Sequence, residues 1–320
     1  MVSTQALMIH GGGHIMLSRD DIRPDQTNLL LNSGFLAISI DYRLCPETTL
    51  SSGPLQDVAD SLVWARKILP NMKRKRFDVS IDGEKVVVVG WSTGGMLAMS
   101  LAWTSLGRGI KPPAAILAFY CPTDYEDPFW TEPNIPTGSE IMASQAKGDW
   151  RMDEEIWEGI SEWPITACTI PPSMRDLGVT AGLSASNPRC RLALYMNWHG
   201  KTLNVLLNGL NKRTRDEPEA PSLEQVSSVS PLAHIRRGSY TTPTFLIHPR
   251  MDDLIPYQQS ERTRNALLAA GVEVELRLLD HVPHLFDVYR LWDRDEASRI
   301  AVTDGYTFLC KHVGLSLVNT

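Results

Sequence analysis

The stretch VVVVGWSTGGMLAMSLAW, residues 86–103, decides how this chain is read. Four consecutive valines describe a strand buried on both faces. Met96, Leu97, Met99, Leu101 and Ala102 then give a helix apolar on nearly every side, hence a buried one. Between the two lies Gly90-Trp91-Ser92-Thr93-Gly94. So tight a strand-to-helix corner strains the serine backbone, and glycines two before and two after leave room for strand and helix to close in. The hydroxyl then stands at a helix N-terminus, where the dipole favours developing negative charge. A plain glycine-rich turn is the rival reading; the flanking strand and helix favour a nucleophile elbow.

The bulk properties are compatible with such a core. The chain has 320 residues, 43% hydrophobic and 21% charged, ordinary for a soluble globular protein and enough for one large domain. The formal net charge of −6 argues against nucleic acid as a partner. Its dense basic run, Lys73-Arg74-Lys75-Arg76, reads first as a solvated loop. The five cysteines (45, 121, 168, 190 and 310) are scattered and form no CxxC pair, against a disulfide framework or a thiolate zinc site. The first residues, MVSTQALMIHGGG, lack the pattern of a signal peptide, and no apolar run is long enough to span a membrane. A reducing, cytoplasmic setting is expected, with no cofactor and no metal.

Strand-like runs at Ala6–Ile9, Phe35–Ile40, Lys85–Gly90 and Ala114–Phe119 alternate with helical patterns such as Leu55–Leu69. After Cys121 the rhythm breaks into Pro-, Trp- and charge-rich sequence with helical fragments. It resumes with a strand at Pro243–His248, a helix at Tyr257–Gly271, a strand at Val272–Leu279 and a closing helix kinked at Gly305. The expected fold is α/β, a mostly parallel sheet with helices on both faces. Residues 1–121 form the first part of the core, 122–240 a helical cap insertion and 241–320 the second part. The cap tryptophans Trp130, Trp150, Trp157, Trp163 and Trp198 suggest an apolar pocket wall, although core packing is the commoner role for each one singly.

Three groups of residues could assist Ser92. His10-Gly11-Gly12-Gly13 follows the first strand. Glycine leaves backbone N–H groups bare toward a developing oxyanion, and neither phosphate-binding spacing is met. Histidine is the default base near neutral pH. DHVPHLFD after the last strand supplies His284, deeper in its loop, with His281 as the alternative; His248, at a strand end, reads as structural. HPRMDDLIPY supplies Asp252 and Asp253, of which one can orient the imidazole. The chain order is then Ser, Asp, His.

The set HGGG (10–13), DYRLCPE (41–47), GWSTGG (90–95), SPL (230–232), HPRMDDLIP and HLF resembles the hormone-sensitive-lipase-like α/β-hydrolases over almost the whole chain. Within them, VVGWSTGGMLAMSLAWT and YCPTDYEDPFW are most similar to the C-terminal thioesterase domains of fungal non-reducing, C-methylating polyketide synthases, which release methylated aromatic acids from a carrier protein. The resemblance implies Ser92 as nucleophile, Asp252 as acid from its place four after His248 and four before Pro256, and His284 as base. Gly11, Gly12 and the N–H of Thr93 match the oxyanion donors. It implies a serine hydrolase of thioesters or esters, with a phosphopantetheinyl carrier protein as partner. A general carboxylesterase, an acyltransferase and a non-catalytic binding protein are alternatives on the same fold. Trp91 stands where the esterases carry Asp, and is a candidate pocket residue. Pro249 stands where they carry Gly, and their usual first two strands have no counterpart ahead of HGGG. Lys73–Arg76 could dock an acidic carrier.

Overall fold

The computed structural model describes residues 2–72, 80–134, 152–168 and 187–318. Six parallel strands form one sheet: β1 (Val2–Ile9), β2 (Phe35–Ile40), β3 (Ser80–Trp91), β4 (Ile116–Phe119), β5 (Thr244–Pro249) and β6 (Val274–Leu279), in the order β2-β1-β3-β4-β5-β6. Register follows from alternation. Val86 and Val88 enter one apolar cluster and Val87 and Val89 the other, as do Leu7 and Ile9 against Ala6 and Met8. Side chains alternate across a strand, so strands clothed on both faces must be apolar throughout. This is why the four-valine run exists.

One face carries α2 (Pro54–Val63), α3 (Thr93–Gly107) and α9 (Gln258–Ala269); the other carries α1 (Pro24–Asn32) and α10 (Glu296–Lys311). The helix expected over Leu55–Leu69 is α2, followed by a π turn at Trp64–Ile68 and a 3-10 turn at Leu69–Asn71. Sequence reading missed α1, whose buried side chains are just Gln26 and Leu30. The kink expected at Gly305 is corrected, because α10 runs through it unbroken. A Cβ there would lie 2.7 Å from a Leu117 methyl, so glycine lets the helix sit directly on β4.

Between residues 122 and 240 the described residues contain α4 (Glu154–Glu158), α5 (Pro188–Trp198), α6 (Thr202–Asn208), α7 (Leu223–Val229) and α8 (Pro231–Arg236), and no strand. Leu17 and Cys168 form one isolated β-bridge. α8 packs on α9 and α3, so it already belongs to the core layer. Ile165, Leu206 and Arg189 tie the described part of this region to the loops above β1 and β2. Leu44 N–H donates to Ile165 O at 2.8 Å, and Leu50 N–H to Leu206 O at 2.7 Å. Arg189 donates to the Ile15 and Cys45 carbonyls at 3.0 and 2.7 Å and pairs with buried Glu47.

Candidate active site

Ser92 links β3 to α3 with φ +52°, a left-handed conformation that costs an L-residue energy. Its N–H donates to Phe119 O at 2.9 Å and its carbonyl accepts from Gly95 N–H at 2.8 Å. A Cβ on Gly90 would lie 2.2 Å from Gly94 O, and one on Gly94 2.2 Å from Ile9 O. The two glycines therefore allow α3 to start directly against β3 and β1, which holds the strained corner in place.

The loops after β5 and β6 meet this corner. His284 Nε2 lies 3.1 Å from Ser92 Oγ, and its Nδ1 lies 2.7 Å from Asp252 Oδ2. Asp252 Oδ1 accepts from the N–H groups of Leu254 and Ile255 at 3.0 and 2.9 Å. Its side chain has no solvent exposure. Burial alone would raise the Asp252 pKa, but the adjacent His284 and His248 outweigh it and hold the carboxyl well below the usual range. Asp252 is thus a fixed anion that requires a donor at His284 Nδ1, leaving Nε2 as acceptor for the serine proton.

Asp253 and His281 are both exposed, and neither hydrogen-bonds Ser92 or His284 among the described residues; Asp253 feels His284 only as a nearby charge. His248 is structural, as read, yet it also touches the acid. Its Nε2 faces two acceptors, Ile255 O at 3.0 Å and Asp252 Oδ2 at 3.2 Å, so that nitrogen carries the proton. Its Nδ1 then accepts from Ser260 Oγ at 2.8 Å. The four-residue spacing of His248 and Asp252 was the available sequence signal.

Across Ser92 lies the glycine loop. A Cβ on Gly11 would come within 3.0 Å of Ser92 Cβ, and Gly12 has φ +95° with its would-be Cβ 2.2 Å from Met16 O. The N–H groups of Gly11, Gly12 and Thr93 have no hydrogen-bond acceptor among the described residues. The Gly11 carbonyl accepts from Tyr42 Oη and His10 Nδ1, each at 2.9 Å, and His14 N–H donates to Thr93 Oγ1 at 3.3 Å. Burial lowers the His10 pKa to about 4 and that of His14 to about 3, so both are neutral near pH 7.

The pocket role expected for Trp91 is corrected. Its side chain is 1% exposed and lies in the core on the α1/α10 face, stacked on Phe119 at 5.8 Å with the Arg23 guanidinium above it. Strand alternation turns it away from the face that Ser92 serves. Among the cap tryptophans, Trp130, Trp157 and Trp198 are buried and Trp163 is 75% exposed, whereas Trp150 lies outside the described residues. So does Lys73–Arg76; Ser80, which follows it closely, opens β3 at the end remote from Ser92. No helix among the described residues is long and apolar enough to cross a membrane.

Residues 6–158 match the family described as alpha/beta hydrolase fold, and residues 196–316 match the prolyl oligopeptidase family. The chain belongs to the α/β-hydrolases, in the hormone-sensitive-lipase-like group. An α/β-hydrolase superfamily protein of Enterococcus faecalis superposes with a TM-score of 0.60 at 16% identity, covering 96% of this chain and 90% of that one. A thermophilic esterase of Thermogutta terrifontis does so with 0.56 at 17% identity, covering 99% and 86%. More particularly, the chain is 52% identical over 315 residues to the non-reducing polyketide synthase adrD of Penicillium roqueforti, and 48% identical over 316 residues to mapC of Penicillium brevicompactum. These alignments cover 96% and 97% of this chain but only 12% and 13% of the relatives, so it corresponds to about an eighth of their length.

Proposed function

We propose that this chain is a serine hydrolase that cleaves an acyl thioester, releasing an aromatic polyketide acid from a phosphopantetheinyl carrier protein. One observation carries the hydrolase reading: Ser92 Oγ, His284 and Asp252 form a continuous hydrogen-bonded line at 3.1 and 2.7 Å, with bare glycine backbone facing the serine. The thioester and the carrier are favoured by the identity to polyketide synthases across nearly the whole chain.

Ser92 Oγ attacks the thioester carbonyl while His284 Nε2 takes its proton, and Asp252 stabilises the imidazolium that results. The carbonyl oxygen becomes an oxyanion held by the N–H groups of Gly11, Gly12 and Thr93, aided by the start of α3. Collapse breaks the C–S bond, and the imidazolium returns its proton to the departing thiolate. Water then adds to the acyl-enzyme, giving its proton to His284. The second collapse releases the acid and re-protonates Ser92.

The test is intact-protein mass spectrometry after a fluorophosphonate, followed by rates on aromatic acyl-thioesters and short p-nitrophenyl esters. A single adduct that is lost in Ser92→Ala and much slowed in His284→Ala is expected, with the thioester preferred. Preference for the short oxoesters would favour a general carboxylesterase. Absence of any adduct on folded protein would sink the hydrolase reading and bring forward a binding role.

A further inference from the structure

On the side of His284 facing α1 lies a second buried polar cluster that the mechanism above does not use. Asp287, three residues after His284, has no solvent exposure. Its Oδ1 accepts from Tyr120 Oη at 2.5 Å and its Oδ2 from Gln26 Nε2 at 2.8 Å, with Arg23 Nε 3.4 Å away. Arg23 Nη2 donates to Tyr120 Oη at 3.0 Å, and Tyr306 Oη donates to Gln26 Oε1 at 3.0 Å. Tyr120, Gln26 and Arg23 thus converge on one carboxylate, with Tyr306 behind Gln26, and its charge is matched by Arg23. Removing one partner of such a buried set leaves the other as an uncompensated charge, which favours keeping the arrangement intact.

Its link to the site is Tyr120, the residue after β4. The tyrosine has φ +37°, and its N–H donates to Ile247 O at 2.6 Å. Its ring meets the His284 imidazole edge-on, centroids 4.5 Å apart at 60°, and Phe286 packs on it at 5.8 Å. The geometry of the imidazole explains why this matters. Hydrogen bonds at Nδ1 and Nε2 leave the ring able to roll about the line joining them. A fixed ring against its flank removes that freedom.

We propose that Tyr120, oriented by the buried Asp287 carboxylate, is a positioning residue that sets the roll of His284. The inference rests on the hydrolase reading for its kinetic consequence, but not for its structural one. The experiment compares Tyr120→Phe, Tyr120→Leu and Asp287→Asn in the full chain. It reads kcat and KM on a phenyl thioester, melting temperature, and the downfield proton NMR signal of His284 Nδ1–H, assigned by its loss in His284→Ala.

Tyr120→Leu is expected to lower kcat ~10²-fold with KM within about twofold, and to broaden or move the NMR signal. Tyr120→Phe keeps the ring and loses only its tether, so kcat falls roughly 10-fold, and Asp287→Asn does the same. An unaltered signal and kcat in Tyr120→Leu would overturn the proposal. So would losses in all three that follow melting temperature alone while the signal stays in place. If Tyr120→Leu does not fold, the other two variants decide the matter. A chain that never labels at Ser92 would refute the hydrolase reading, and the NMR signal would still decide the positioning one.

Discussion

Two fully buried carboxylates flank His284, and their surroundings differ. Asp252 touches the imidazole directly and is held as an anion by hydrogen bonds from two histidines and two backbone N–H groups. Asp287 reaches the same imidazole only through the ring of Tyr120, and the cation beside it is Arg23. The first sets a proton inventory: it demands a donor at Nδ1, which frees Nε2 to accept. The second sets geometry, since the proton it accepts is the Tyr120 hydroxyl's and not the imidazole's. Burial alone therefore does not distinguish a carboxylate that touches the imidazole from one that touches its neighbour; the atom it contacts does.

The sharpest way to break this contrast is Asp252→Asn. An amide at that place can present a donor to Nδ1 and so favour the wrong tautomer, and kcat should fall ~10⁴-fold with little change in KM. A loss no larger than that of Asp287→Asn, measured on the same thioester, would erase the distinction. Next comes the loop across the serine. Gly12→Ala, at φ +95°, places a methyl 2.2 Å from Met16 O and, if the loop serves as the proposed oxyanion hole, should cost ~10²–10³ in kcat by displacing its N–H. Steady-state kinetics with fluorophosphonate labelling alongside would separate lost transition-state binding from a lost nucleophile.

A pH titration sharpens the comparison in another way. His10 and His14 have folded pKa values of about 4 and about 3, below the ~6.5 of an unfolded histidine. Between those values the unfolded chain binds more protons than the folded one. Stability is therefore lost as pH falls from about 6.5 toward 4, by roughly 3 kcal/mol for His10. Asp252, held below the ~3.9 of an unfolded aspartate, stays charged in the folded chain and adds to the decline only below about pH 5. Urea unfolding at stepped pH should show the decline, with a flatter slope in His14→Gln; an equal slope in that variant would remove His14 from the account. The smallest effect is expected from Asp253→Asn and His281→Gln, both exposed, whose kcat should stay within about twofold of the parent on the same substrate.

Much of the site was legible because its signals are local. Gly90, Ser92 and Gly94 announce a corner through the backbone freedom each position requires, and HGGG announces bare N–H groups in the same way. The two-sided burial of β3 is written in its valines. His284 over His281 followed from depth in one loop, whereas Asp252 over Asp253 needed the family spacing, since neighbouring residues in a turn differ only in direction. Trp91 went astray for a related reason. Adjacency to Ser92 along the chain suggested a pocket, but successive strand residues face opposite sides of the sheet.

What the sequence by itself determined is therefore the scaffold, the strained serine corner and the chemical types gathered near it. All of these are set by contiguous residues, through side-chain alternation, glycine backbone freedom and helix-end electrostatics. What only the tertiary structure decided is who touches whom across the fold. Tyr120 and Asp287 are 167 positions apart and Gln26 and Asp287 are 261. No periodicity or motif encodes such contacts. They arise because parallel strands deliver their C-terminal loops to one edge of the sheet, where residues remote in the chain become neighbours.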